Sequence, residues 1–285
     1  MNYKEKYNLN ETLKIISVGP EKSKCTVEIP NNEDTIHIGT FNYCSNLKSV
    51  ELPDNITAID NGAFEKCESL KSIKLPSSIK YIGDGTFRNC KSLKEIFLPD
   101  SITKLGKRAF FSCTSLEKIK LPNNLKIIEF EMFFECSSLK EIIIPEHIKF
   151  IEDLAFANCL ALEKINFPNS LTAIGSNAFY QCNFESIKIP SSVTFIKDNA
   201  FCECKNLKEV FIGAKCILSE NMFKDCINLK KVYITRESFN LSSDFVNAYK
   251  NKIEIINKSL DELLDEGKSI REAGKIIKQS EELLI

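Results

Sequence analysis

The sequence predicts a repeat solenoid: a right-handed β-coil with one parallel sheet, mainly strands and short turns, with α-helices at its C-terminal end. Three observations predict it. Phenylalanine recurs at Phe41, Phe64, Phe87, Phe110, Phe133, Phe156, Phe179, Phe201 and Phe223, in steps of 23 residues and then 22. Proline recurs in phase at Pro53, Pro76, Pro99, Pro122, Pro145, Pro168 and Pro190. Around them the chain repeats the pattern A-F-x-x-C-x-x-L-x-x-I-x-L-P-x-x-I-x-x-I-G. Self-similarity at a fixed period of this length marks units that stack on one another.

Each slot of the pattern has a physical reading. In "LKSIKLP", Ile73 and Leu75 stand two apart, on one side of a strand. Pro76 ends that strand, because it lacks the N–H that a ladder needs. Ile79 and Ile82 point inward as the chain turns back, Gly83 permits the turn, and Ala63 with Phe64 closes the coil. A single coil buries about seven apolar side chains at ~1.5–3 kcal/mol each. Ordering its residues costs about 1.5 kcal/mol apiece. Only stacking, with strands ~4.8 Å apart, closes that gap.

The repeat resembles the BspA-like subclass of leucine-rich repeats, over about Cys25 to Ile234. The resemblance implies a leucine-rich-repeat-like, horseshoe or gently curved solenoid and a noncatalytic binding protein. In microbes it also implies, as an alternative, a cell-surface or secreted adhesin that binds host proteins. The N-terminal residues show no apolar core of a secretory signal. A cytoplasmic location is therefore expected, with the cell surface as the alternative where a leader precedes them.

The expected organisation is a capping hairpin over 1–24, a solenoid of about nine 22–23 residue repeats over 25–235, and a helical cap over 236–285. Val27, Ile29 and Pro30 fall in phase with Val50, Leu52 and Pro53, as a degenerate first coil. Ser259 with Glu262, and Ser269 with Glu272, match helix capping boxes. Ile270, Ala273, Ile277 and Leu284 recur at helical spacing. These helices either cap the last coil or bind a partner.

Composition excludes several classes. The chain of 285 residues is 43% apolar and 27% charged, with a formal net charge of -1, so no global field draws it to nucleic acid or lipid. No stretch approaches the ~18 apolar residues of a membrane span. Cys44, Cys67, Cys90, Cys113, Cys136, Cys159 and Cys182 fall in register, and Cys204 and Cys226 continue at the shorter step. Parallel side chains in a stack hold their Cβ atoms apart and give each cysteine two equivalent neighbours. The expected state is a ladder of reduced core thiols in a reducing compartment, with disulfides or metal ligation as the alternatives. Cys202-Glu203-Cys204 is the nearest approach to a metal-binding pair. His37 and His147 read as surface residues, and "GDG" at 83–85 lacks the lysine of a phosphate loop. No cofactor and no catalytic constellation are expected.

The exposed face of the sheet is the candidate binding surface. Outward positions align in a column of Glu51, Lys74, Phe97, Lys120, Ile143, Asn166, Lys188, Phe211 and Tyr233. Lysine and glutamate alternate around it, as on a solvated, salt-bridged surface. Phe97, Ile143, Phe211 and Tyr233 are the exceptions, and with Lys74, Lys120 and Lys188 they form the expected contact set for a protein partner. Their spacing predicts two clusters, suited to an extended partner. A polyanion binder or an enzyme has weaker support in these residues.

Overall fold

The computed structural model describes residues 34–213, 218–235 and 243–256. The hairpin expected over 1–24, the coil around Val27 and the helices expected over 258–285 lie outside these residues.

The chain winds into stacked parallel coils. Each coil contributes a strand just before its proline turn, as in Ser72–Lys74, Glu95–Phe97 and Lys118–Lys120. Pairing partners lie one repeat apart: Ser49 opposite Ser72, Glu95 opposite Lys118, Glu141 opposite Lys164. The expected alternation holds. Ile73, Ile96, Ile119 and Ile142 are buried between exposed neighbours on the other face. The row runs past residue 235, where the repeat was expected to end. Ile253–Ile256 pairs in parallel with Lys231–Thr235, Val232 opposite Ile253.

Beyond the proline turn the chain forms a second parallel row, of two-residue strands, that the sequence reading treated only as a returning segment. Ala58–Ile59, Tyr81–Ile82 and Lys104–Leu105 pair in sequence, as do Ile127–Ile128, Phe150–Ile151, Ala173–Ile174 and Phe195–Ile196. Ile79 and Ile82 are fully buried, as expected. The outward residue between them makes a second surface.

The third side of each coil is a tight corner with its own ladder. The N–H groups of Gly62, Phe64 and Lys66 donate to the carbonyls of Asp84, Thr86 and Arg88 in the next coil. The corner needs two left-handed residues per coil. One column holds Tyr43, Lys66, Asn89, Ser112, Glu135, Asn158, Gln181, Glu203 and Asp225, all at φ between 53° and 62°. The other starts with Gly39, Gly62 and Gly85 and continues with Arg108, Glu131, Leu154, Asn177 and Asn199. The turn glycine is thus Gly85, at φ 60°, and not Gly83. Gly83 is required for a different reason: a Cβ there would sit 2.5 Å from the Asn61 backbone nitrogen of the preceding coil.

The core is a stack of rings. From Phe41 to Phe223, nine phenylalanines lie with centroids 4.9–5.8 Å apart and planes within 28° of parallel. Centroids wider apart than the coil spacing mean offset stacking, the arrangement that ring quadrupoles prefer. A short helix, α1 (Ser243–Tyr249), closes the C-terminal end of the stack. Phe245 and Tyr249 set their ring edges against Phe223, at 6.5 and 5.9 Å.

Phe110→Ala should lower stability by about 3–5 kcal/mol, the range for a fully buried phenylalanine. Phe111→Ala should cost far less, because Phe111 lies half-buried on the corner, stacked on Phe134 at 4.8 Å. Denaturant melts of the two variants check this, and equal losses would contradict the inward placement of Phe110.

Candidate functional site

The cysteine column has a definite bonding role. In eight successive coils the thiol donates to the carbonyl of the phenylalanine one coil earlier, with sulfur–oxygen distances of 3.1–3.2 Å. Cys67 bonds Phe41, Cys90 bonds Phe64, and so on to Cys226 and Phe201. The same carbonyl also accepts the N–H of the cysteine in its own coil, as Phe64 does from Cys67 at 3.2 Å. Both lone pairs of a buried carbonyl are thereby used. The arrangement needs the sulfur reduced and protonated, and no described cysteine is in a disulfide. Burial is the main cause that pushes the Cys90, Cys113, Cys136 and Cys159 thiols well above their ordinary range, with neighbouring cysteines adding to it. Thiols held this way are poor nucleophiles and poor metal ligands. Among the described residues no group of three His, Cys, Asp or Glu side chains could hold a metal ion. His37 and His147 are both exposed.

The outward column of the first strand row divides in two. Phe97 and Ile143 stand in solvent, 75% and 78% exposed, with exposed lysines at Lys74 and Lys120. Phe97 lies opposite Lys120 in the strand register. Lys74 bonds Glu51 of the previous coil at 2.5 Å, and that carboxylate holds its ammonium above the ordinary range. Lys120 reaches Asp100 at 3.9 Å. Phe211 and Tyr233 do not belong to this surface. They are 0% and 6% exposed, stacked on each other at 4.5 Å, and Lys188 beside Phe211 is half-buried. At this end the strands lengthen to Glu209–Ile212 and Lys231–Thr235, and both faces of the sheet are covered. The second expected cluster is therefore core, and the contact set reduces to Phe97 and Ile143 with Lys74 and Lys120.

A further group escaped the sequence reading. Tyr81, Ile127, Phe150, Ala173 and Phe195 face outward from the second strand row. The available signal was the residue just before the last isoleucine of I-x-x-I, which in a two-residue strand must point away from the core. Among the described residues no helix is long and apolar enough to cross a membrane.

A family model and one solved structure agree with this architecture. The model of the BspA type leucine rich repeat region matches residues 22–140 and 126–254, in six copies. No curated protein matches the chain. A leucine-rich repeat protein from Bacteroides ovatus is similar over 86% of this chain and 76% of its own, at 25% identity and a TM-score of 0.62. A leucine rich repeat protein of T. pallidum aligns with 67% of this chain and 86% of its own, at 25% identity and a TM-score of 0.49. A leucine rich cell surface protein from Faecalibacterium prausnitzii aligns with 77% of this chain and 74% of its own, at 24% identity and a TM-score of 0.43.

The thiol ladder predicts alkaline sensitivity. Unfolded thiols ionise near pH 8.5, whereas the buried ones keep their protons. Above that pH the unfolded state binds fewer protons than the folded state, so stability falls as pH rises, by up to about 1.4 kcal/mol per pH unit for each thiol. Urea melts under reductant between about pH 7.5 and 10 should show a steeper loss for the native chain than for a C113A/C136A/C159A variant. Equal slopes would remove the thiols as the cause.

Proposed function

The chain belongs to the BspA-type leucine-rich repeat family, and we propose that it is a noncatalytic scaffold that binds a protein through the outer face of its first strand row. The observation that carries this reading is the exposure of Phe97 and Ile143. Folding does not call for apolar residues at these positions, since Lys74 and Lys120 fill the same position in adjacent coils. The two side chains stand two coils apart, roughly 10 Å, with Lys120 between them. That spacing suits a partner with two apolar anchors and a polar group over Lys120. Lys74 and Lys120 already have carboxylate neighbours, so the apolar pair supplies most of the recognition.

A reducing compartment is part of the same proposal. Its support is the row of thiol–carbonyl hydrogen bonds, each of which is lost when the sulfur is oxidised. Recovery of the native protein mainly from the secreted or surface fraction would refute this placement.

The binding reading is tested with a purified F97S/I143S double variant beside the native chain, both used to capture partners from native lysate with quantitative mass spectrometry. The melt should be unchanged, because both side chains lie in solvent. Captured partner should fall about tenfold or more, the loss expected when two anchors are removed. Capture retained within about threefold, a difference below ~1 kcal/mol, would rule this face out.

A further inference from the structure

The second strand row carries an apolar strip that is continuous where the first is interrupted. Ile127, Phe150, Ala173 and Phe195 follow one another in four successive coils, each opposite the next in the parallel register. Four coils span about 14 Å at the strand spacing. Phe150 is 40% exposed and Phe195 55%, while Ile127 and Ala173 are half-buried. Nothing in the coil requires this, because the same position is Lys104 two coils before Phe150.

The strip has edges of opposite charge. All strands run in one direction, so the residue preceding each strip residue lies along one edge, and the residue two positions after it lies along the other. The first edge has Lys126 and Lys149, both exposed, and then Thr172 and Thr194. The second has Glu129 and Glu152, both half-buried, then Gly175 and Lys197. Lys197 is already engaged: it spans the coil of Gly175 to bond Asp153 Oδ1 at 2.9 Å. Among the described residues no ion pair engages Lys126, Lys149, Glu129 or Glu152. Burial raises the Glu129 carboxyl above its usual range, Glu152 and Asp84 raise it further, and Lys107 and Lys104 only oppose that rise.

We propose that this strip is the interface of a homodimer whose two-fold axis runs parallel to the solenoid axis. Two symmetric arrangements can lay one strip on another. A two-fold axis across the strip would place lysine edge on lysine edge and acid on acid. A two-fold axis along the stack keeps every coil at its level and exchanges the edges. Lys149 then faces Glu152 of the second copy, Lys126 faces Glu129, and each contact occurs twice, as an isologous interface demands. Phe150 and Phe195 meet their own counterparts across the axis. A different protein would have to present an apolar strip with an acidic and a basic edge at the coil spacing. The chain itself already carries that complement.

Sedimentation velocity on the full chain, from about one micromolar to several hundred micromolar, tests the proposal. A monomer–dimer equilibrium is expected, on the weak side because the strip is short. F150S/F195S should weaken it about tenfold or more while the chain stays folded, with the small loss in the melt expected for half-covered side chains. K149E and E152K should each weaken self-association by about tenfold, because each sets like charges against one another twice. Mixed one to one, those two variants should recover association, since each contact between the unlike chains then pairs opposite charges. A chain that stays monomeric throughout overturns the proposal, even where another protein proves to cover Phe150. So does a dimer indifferent to F150S/F195S. A mixture no tighter than the separate variants overturns the parallel two-fold.

Discussion

The distance between coils is the constraint on which the rest of this structure depends. Backbone hydrogen bonds fix it on three sides: two strand rows and the left-handed corner. Every other regular interaction then recurs at one repeat. Phenylalanine rings fall at stacking distance, and each thiol reaches the carbonyl one coil back. Charges pair the same way, in Glu51 with Lys74, Glu68 with Lys91, Lys94 with Glu117 and Glu185 with Lys208. Each exposed pair contributes little alone. They matter because the spacing that permits them is already set. The residue missing between Cys182 and Phe184 shows the same hierarchy. The loop absorbs the loss, and Phe179 still stacks on Phe201 at 5.2 Å.

The corner also explains why the stack needs an end. Alternate N–H groups of the corner, such as those of Gly62, Phe64 and Lys66, donate to the next coil, while those between them bond within their own, so the alternate donors of a last coil have no following coil to accept them. Tyr249 of α1 meets this need at one position. Its hydroxyl accepts the Phe223 N–H at 3.2 Å and donates to the Glu220 carbonyl at 2.7 Å. A side-chain oxygen thus stands where the next coil's carbonyl would be, and burial pushes the phenol up to about 12. The left-handed residues are the cost of the corner, at roughly 1–2 kcal/mol for each one that is not glycine. Arg108, Glu131 and Leu154 bear that cost where earlier coils use glycine. Stacking on both faces of the coil offsets it, an option that a terminal coil lacks.

The inward side of this fold was legible in the sequence, and the outward side only partly. Phe110, Cys113, Leu116, Ile119 and Ile128 are core because period and apolarity agree at those positions, and all five are buried. Seeing the cysteine register did not reveal its purpose, since the acceptor is a backbone carbonyl that no residue type marks. Gly83 and Gly85 look equivalent in "GDG", yet one answers to a neighbouring coil's backbone and the other to its own φ. The exposed column failed where the same pattern has two outcomes. Ile96-Phe97-Leu98 and Val210-Phe211-Ile212 read alike, but Phe97 lies in solvent and Phe211 is covered. Local pattern fixes which way a side chain points, and not what lies over it.

A repeat protein has most freedom to evolve function at positions that its period leaves unspecified, and the two strand rows use that freedom differently. On the first row a lysine separates two apolar residues, which makes separate anchors that a foreign surface must match. On the second, apolar residues run unbroken, and over two of the four coils they lie between lysines on one edge and glutamates on the other, which makes a surface complementary to its own rotated copy. The rows lie on either side of the proline turn, so occupying one leaves the other open. A dimer formed through Phe150 and Phe195 would therefore present two Phe97–Ile143 faces in a fixed relation. Joining two weak sites in this way raises the effective concentration of the second once the first is bound. Each face then needs only modest affinity, consistent with two exposed anchors.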